Sequence, residues 1–145
     1  MTRRFLPLLA VCVVISGCVT TGKHGEGAAS GSGGYAKGDT VIVLVVDGNT
    51  CNGVMKYKSE LLFLRGSGKP SRLLGTVLTT GLLGEKVSFG RFSAQAAANS
   101  LDFQCQFAAP MTCRRVSDKA LRKRFGDKAN HKEVKEILRK LRRSR

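Results

Sequence analysis

Thiol and imidazole side chains are the groups of this 145-residue chain that could carry nucleophilic or metal chemistry, and it has five cysteines and two histidines. Cys105 and Cys113 are eight residues apart, and neither a Cys-x-x-Cys nor a His-x-x-x-His spacing occurs, so the usual zinc patterns are absent. His24 lies in a glycine-rich stretch and His131 at the start of a predicted helix. Neither position holds a general base rigidly enough for a catalytic triad. We therefore expect no metal site, no cofactor and no catalytic residue of this kind.

A phosphate-binding loop and a carboxylate pair are the other catalytic patterns to consider. Residues 66–69 (GSGK) are similar to part of a P-loop, but Phe63 stands where the first glycine belongs and Pro70 replaces the Ser or Thr that would hold magnesium. The acidic residues before the C-terminal tail mostly border predicted turns: Glu26, Asp39, Asp47, Glu60, Glu85 and Asp102. The sequence therefore predicts a non-catalytic protein, with an enzyme that uses paired carboxylates as the alternative.

The first 18 residues have the pattern of an export signal. Arg3 and Arg4 precede an apolar run at residues 5–14, which is shorter than the roughly 20 residues that a membrane-spanning helix needs. The segment ends in Ile15-Ser16-Gly17-Cys18, which resembles the lipobox of bacterial lipoproteins. In that motif a branched apolar residue, a small residue and Gly or Ala precede a cysteine that receives a lipid.

This resemblance implies that residues 1–17 are removed and that Cys18 carries a diacylglyceryl group and an N-linked acyl chain such as palmitate. Cys12 is a weaker match, since Val11 before it is not small and the apolar run upstream is short. Lipoproteins retained in the inner membrane typically have Asp after the cysteine, and here Val19 follows. The resemblance thus favours the periplasmic face of the outer membrane. An ordinary cysteine beside a plain signal cleavage site is the alternative.

Residues 18–38 are predicted to form a flexible tether, because seven of the 20 residues from 19 to 38 are glycine. The formal charge of +15 is concentrated at the other end of the chain. Residues 114–145 hold 14 basic and four acidic residues, whereas residues 18–113 hold nine basic and six acidic ones. Such a density of positive charge would suit nucleic acid. An exported protein would rarely meet nucleic acid, so we do not expect it as a partner.

The middle of the chain, residues 39–116, is predicted to form a small antiparallel sheet of six to seven short strands. The candidate strands are residues 40–46, 51–58, 60–65, 72–79, 86–92, 101–107 and 111–116, and residues 94–100 could form one helical turn. Residues 40–46 (TVIVLVV) have apolar side chains at successive positions, which indicates a strand that is buried on both faces. A core of this size is marginal without further support.

A disulfide could supply that support, since exported thiols meet an oxidising compartment. If residues 101–107 and 111–116 form a hairpin around residues 108–110, Cys105 lies opposite Cys113, at a separation that a disulfide accepts. A bridge from Cys51 to either partner is the alternative, and the third thiol would then be a small buried hydrophobe.

The tail, residues 117–145, is predicted to form two basic helices. Ser117 can cap the first helix and Gly126 can end it. The second helix resembles a capping box at its start, with Asn130 followed three residues later by Glu133. Its apolar residues lie within an arc of about 100° on the helix, and they are Val134, Ile137, Leu138 and Leu141.

Two interpretations of the second helix remain open. In the first, the apolar stripe packs on the sheet and the basic face is only solvated. In the second, the basic residues contact anionic lipid, lipid A phosphates or an acidic protein: Arg139, Lys140, Arg142, Arg143 and Arg145. The sequence as a whole predicts a lipid-anchored, non-catalytic binding or assembly accessory that faces the periplasm. A periplasmic inhibitor or ligand-binding module is the alternative.

Overall fold

Eight antiparallel strands close into a barrel, and two α-helices follow it. The computed structural model describes residues 30–144. The strands are β1 (Gly33–Lys37), β2 (Thr40–Asp47), β3 (Thr50–Tyr57), β4 (Glu60–Lys69), β5 (Arg72–Thr80), β6 (Lys86–Ala96), β7 (Ser100–Cys105) and β8 (Ala108–Arg115). The helices are α1 (Asp118–Phe125) and α2 (Lys132–Arg143), joined by a 3-10 helix at Gly126–Asn130. Each strand pairs with its sequence neighbours, and β1 also pairs with β8.

The mainly β architecture with two C-terminal helices is confirmed, but the prediction of a small sheet of six to seven strands is wrong, because eight strands close into a barrel. All seven candidate strands are present near their predicted positions. The eighth strand, β1, lies inside residues 18–38, which we expected to form a flexible tether. This expectation is therefore wrong for Gly33–Lys37. Gly33 and Gly34 at its start made this strand difficult to predict from the sequence, because glycine is unfavourable inside strands. Tyr35 pairs with Ile42 on one side and Arg115 on the other, which closes the barrel.

The turns divide between the two ends of the barrel. We call the end where the described chain begins the entry end; it contains the start of β1 and the turns at residues 48–49, 70–71 and 97–99. The hairpin end contains the turns at residues 38–39, 58–59, 81–85 and 106–107. Helix α1 begins directly after β8, at the entry end, and Lys56 Nζ donates to Arg124 O at the hairpin end. Helix α1 thus runs from the entry end to the hairpin end, and α2 returns.

Side chains fill the interior of the barrel, as is usual for eight strands. The buried interior cluster is Tyr35, Ile42, Leu44, Cys51, Met55, Leu62, Leu64, Leu73, Val77, Phe92, Ala94, Leu101, Phe103 and Cys113. Gly66 and Gly75 pair with each other across β4 and β5, and Gly75 also pairs with Phe92 on β6. The absence of a side chain at Gly75 leaves room for the Phe92 ring, which stacks on Phe103 with centroids 5.5 Å apart. At Gly66 it lets the backbones of β4 and β5 approach each other closely.

The helices cover the outer face of β2, β3 and β4. This second cluster contains Val41, Val43, Val54, Phe63, Leu121, Phe125, Val134, Ile137, Leu138 and Leu141. In β2, Val41 and Val43 thus face the helices, whereas Ile42 and Leu44 face the barrel interior. The prediction that this strand is buried on both faces is confirmed. Two buried layers also explain how a barrel of this size gains enough apolar burial to be stable.

The ends of α1 are as predicted, and the start of α2 is not. Ser117 Oγ accepts from Ala120 N at 3.2 Å, and Gly126 has a φ of 58° at the C-terminal stop. The predicted capping box at Asn130 is wrong, because Asn130 ends the 3-10 helix. His131 caps α2 instead, with Nδ1 accepting from Glu133 N at 3.2 Å. Its imidazole is therefore used for helix capping.

Candidate functional site

The basic side chains of α2 project outward because the other side of the helix is committed to the barrel. Val134, Ile137, Leu138 and Leu141 are buried against β2, β3 and β4. The predicted packing of this stripe on the sheet is thus confirmed. The packing of the apolar face does not determine which partner the basic face of α2 binds.

The two acidic residues of α2 are both paired with lysines. Glu133 lies on the flank that faces β6, where its carboxylate is 2.6 Å from Lys86 Nζ. The Glu136 carboxylate is 3.7 Å from Nζ of Lys140, which lies one helical turn further along α2. At 100° per residue, Glu136 lies between Lys132 and Lys140 around the helix.

The opposite flank of α2 carries four basic residues: Lys132, Lys135, Arg139 and Arg142. Together with Arg122 of α1, we call them the basic stripe. At 100° per residue, the four from α2 fall within an arc of about 80°. All five line one open groove between α1 and α2, with Leu138 and Ala129 at its floor, and Glu136 also lines this groove. Within residues 30–144, no carboxylate lies within salt-bridge distance of any of the five. This arrangement can bind a multivalent anion through several charge-assisted contacts.

The structure sorts the basic residues that the sequence singled out into different environments. Arg139 and Arg142 belong to the basic stripe, whereas Lys140 lies on the other flank with Glu136. Arg143 is exposed in the last turn of α2, and Arg145 lies outside the described residues. Lys132 and Lys135 lie beside Arg139 in the groove; they share its side of the helix by sequence spacing but were not among the predicted contact residues. Only the tertiary structure could assign Arg122 to the basic stripe, because this residue belongs to α1 and not to α2.

The predicted disulfide between Cys105 and Cys113 is wrong in its register. The β7–β8 turn is at residues 106–107, so Cys105 pairs with Ala108 and Cys113 pairs with Leu101. Five residues of β8 then separate Cys113 from the position opposite Cys105, a distance of about 16 Å along the strand. A disulfide requires Cα atoms within about 7 Å. Cys51, the alternative partner, is free in the structure, as are the other two.

Burial suppresses the reactivity of the three thiols. It raises the pKa of the Cys51 thiol to about 11, and it is also the main cause of the raised thiol pKa at Cys105 and Cys113. At neutral pH these groups are protonated, and a protonated thiol is a poor nucleophile and a poor metal ligand. They contribute to the core as small apolar side chains.

A polar cluster holds the chain at the entry end. The Arg115 guanidinium donates to the carbonyl oxygens of Ala98 and Ser32 and to the Tyr35 hydroxyl, at 3.0 to 3.2 Å. Tyr35 is fully buried, and its hydroxyl donates to Gly31 O at 3.3 Å. Burial raises the pKa of this phenol, so it remains a neutral donor. These contacts fix where residues 30–32 leave the barrel.

The described part of the chain offers no other chemical centre. Residues 30–144 contain no group of three or more His, Cys, Asp or Glu side chains placed to hold a metal ion. None of the helices in this part of the chain has the length and apolar character to cross a membrane. Cys18 and the signal pattern lie outside the described residues. A comparison of the chain with protein-family models, curated proteins and solved structures found no match.

Proposed function

We propose that this protein is a lipid-anchored lipoprotein of the bacterial envelope, held by acylated Cys18 at the periplasmic face of the outer membrane. Its barrel is a non-catalytic binding or assembly accessory that presents the basic stripe to a phosphate-bearing anion. Anionic lipid headgroups and lipid A phosphates share this chemistry. The observation that carries the proposal of anion binding is the set of five basic side chains on one groove, where the carboxylate of Glu136 is paired with Lys140 and with none of the five.

The buried apolar face of α2 specifies how such binding would work. An amphipathic helix usually binds a membrane by inserting its apolar side. Here Val134 and Leu141 are fully buried against the barrel, so that side is not accessible. Binding must then be electrostatic, at roughly 1 kcal/mol for each basic residue close to an anionic surface. It should weaken as salt shortens the Debye length.

The basic stripe extends along α2 between the two ends of the barrel. Glu133, in the first turn of α2, contacts Lys86 at the hairpin end. Lys140 lines a depression with Asn52 nearer the entry end. The C-terminal turn of α2 thus lies toward the end where residue 30 enters the barrel. Arg139 and Arg142 thus lie nearer the entry end and Lys132 lies at the hairpin end. A segment from Cys18 that can extend to about 40 Å allows either part of the stripe to reach the bilayer.

Mass spectrometry of the mature N-terminus tests the anchor. We expect the first residue to be Cys18 with its mass increased by the diacylglyceryl and acyl groups, and Cys18→Ser should abolish this modification and the membrane association that it provides. Val19→Asp is a useful companion variant, since it should shift the protein toward the inner membrane. A mature chain that begins elsewhere, or that begins at an unmodified Cys18, would contradict the anchor.

Sedimentation with vesicles tests the basic stripe. Cys18→Ser protein should bind vesicles of phosphatidylglycerol more tightly than vesicles of phosphatidylcholine, and the triple variant Lys135→Gln, Arg139→Gln, Arg142→Gln should lose about 100-fold in affinity at low salt. Free inorganic phosphate as competitor distinguishes a site for the phosphate group from attraction to the surface.

The matched control removes charge from the other flank of α2. Lys140→Gln and Lys86→Gln, which lie on the flank of Glu133 and Glu136, should change the affinity far less than the triple variant. Equal losses in both sets, or equal binding to neutral and anionic vesicles, would show that the stripe is only a solvated surface. Binding to an acidic protein in place of vesicles would overturn the assignment of a phosphate-bearing ligand.

A further inference from the structure

Exposed apolar side chains concentrate on one hairpin of the barrel. Within residues 30–144, the large hydrophobic residues that are exposed all belong to β5, β6 or the turn between them: Leu74, Leu82, Leu83, Val87 and Phe89. Leu82 is 104% exposed and Leu83 is 92% exposed, so neither touches the barrel. We call Leu82, Leu83, Val87 and Phe89 the apolar tip. A concentrated apolar patch of this kind marks an interaction site more often than isolated exposed residues do.

The backbone of the turn is bonded within itself. Gly81 N donates to Glu85 O at 2.7 Å, and Gly84 N donates to Gly81 O at 3.1 Å. Leu83 N donates to Glu85 Oε1 at 2.9 Å. Transfer of an unpaired N–H group into an apolar medium is costly, and these three groups already have partners. These three donors therefore need no partner from water.

The apolar tip continues into an aromatic cluster at the hairpin end. The ring centroids of Phe89 and Phe107 are 4.9 Å apart, and those of Phe107 and Tyr57 are 5.5 Å apart. Lys58 Nζ lies 5.4 Å from the Tyr57 centroid. Aromatic rings beside a lysine are suited to the boundary between lipid chains and headgroups, where one part of the side chain is apolar and the other is hydrated.

We propose that the apolar tip inserts into the lipid bilayer that holds the Cys18 anchor, which gives the domain a second point of attachment. This inference rests on the proposed lipid anchor. Eleven residues lie between Cys18 and residue 30, and the twelve steps along the chain can extend to about 40 Å. The 11 residues of β6 span about 36 Å at most. The chain outside the described residues is therefore long enough for the hairpin end to reach the same bilayer as the anchor.

The absence of tryptophan from the chain makes a direct test possible. A single Leu83→Trp substitution introduces a unique fluorophore at the tip, and Leu74→Trp places one on the same hairpin at its other end, where Leu74 is 48% exposed. The full-length chain is reconstituted into phosphatidylethanolamine and phosphatidylglycerol vesicles whose acyl chains carry bromine. We expect about twofold or greater quenching at position 83, because bromine quenches only fluorophores that enter the acyl region, and little quenching at position 74.

The test separates insertion from the anchor and from contacts between proteins. The mass of each sample reports whether Cys18 is acylated. Quenching of Leu83→Trp in an unacylated sample with added vesicles would support insertion even if the anchor fails. An acylated protein without quenching at position 83 would overturn the inference while the anchor stands. A blue shift without bromine quenching would also overturn it, because the tip would then be buried against a second copy of the chain.

A variant that removes the apolar tip provides the matched control. Leu82→Ser in the Leu83→Trp background should reduce quenching, since one of two neighbouring apolar side chains is lost. Circular dichroism should be unchanged, because Leu82 makes no packing contact that the fold needs. Unchanged quenching in this variant would contradict a role for the leucine pair.

Discussion

Replacing Gly75 by alanine should lower the free energy of unfolding by about 3 kcal/mol, because the new methyl group has no room. A Cβ atom at this position would lie 2.6 Å from Gly66 Cα and 2.7 Å from Phe92 Cε1, and would overlap the carbonyl oxygen of Arg65. Two of these three neighbours are backbone, which cannot rotate away. The change should be measured as a shift in the urea midpoint of unfolding, followed by circular dichroism.

The control for Gly75→Ala is Ser88→Ala on the adjacent strand. Ser88 is exposed and pairs with Leu78 near the tip of the same hairpin. Its replacement should change the free energy of unfolding by no more than about 0.5 kcal/mol. Equal midpoints for Gly75→Ala and the original protein would show that β4 and β5 do not approach each other as closely as the structure places them.

Leu121→Ala should cost about 3 kcal/mol of stability and loosen α1 from the barrel. Leu121 is fully buried, and a Cβ atom on Gly34 of β1 would overlap its side chain, so the helix contacts the strand backbone directly. Truncation of such a leucine leaves a cavity that neighbouring groups fill only in part. Since Arg122 follows directly on α1, the affinity for phosphatidylglycerol vesicles should fall as well. Urea unfolding and vesicle sedimentation on the same preparation measure the two effects.

Lys119→Ala is the control for the same helix. Lys119 is exposed on α1, so its loss should change stability by no more than about 0.5 kcal/mol. A stability loss below about 1 kcal/mol for Leu121→Ala would contradict the assignment of α1 to the packed core. Lower stability with unchanged vesicle binding would instead show that Arg122 does not belong to the ligand surface.

Local patterns predicted the strands well where strong β-formers are bounded by turn residues. The run TVIVLVV is buried on both faces as expected, since β2 faces the interior on one side and the helices on the other. The register of β7 and β8 was not predictable in this way. Placing the turn at residues 106–107 instead of 108–110 moves Cys113 from Cys105 to Leu101. Register depends on turn geometry and on the partner strands, which local composition does not specify.

The candidate site shows the same division. The apolar spacing of α2 was enough to predict which side packs and that Arg139 and Arg142 lie elsewhere. They are grouped with Arg122 because α1 lies beside α2. Lys140 does not belong to this group, since it lies outside the groove and pairs with Glu136. A list of basic residues in sequence order could not separate the two flanks, because both are polar.

The sequence by itself determined the strand-rich middle, the Ser117 cap, the Gly126 stop and the apolar stripe of α2. These features depend on residues within a few positions of one another, so their energies can be read from short segments. Only the tertiary structure decided that β1 joins β8 to close a barrel, that the three thiols stay apart and that the apolar tip projects. Each of these depends on pairing between residues far apart in the chain. Such pairing depends on the balance between chain entropy and long-range packing, which no local pattern encodes.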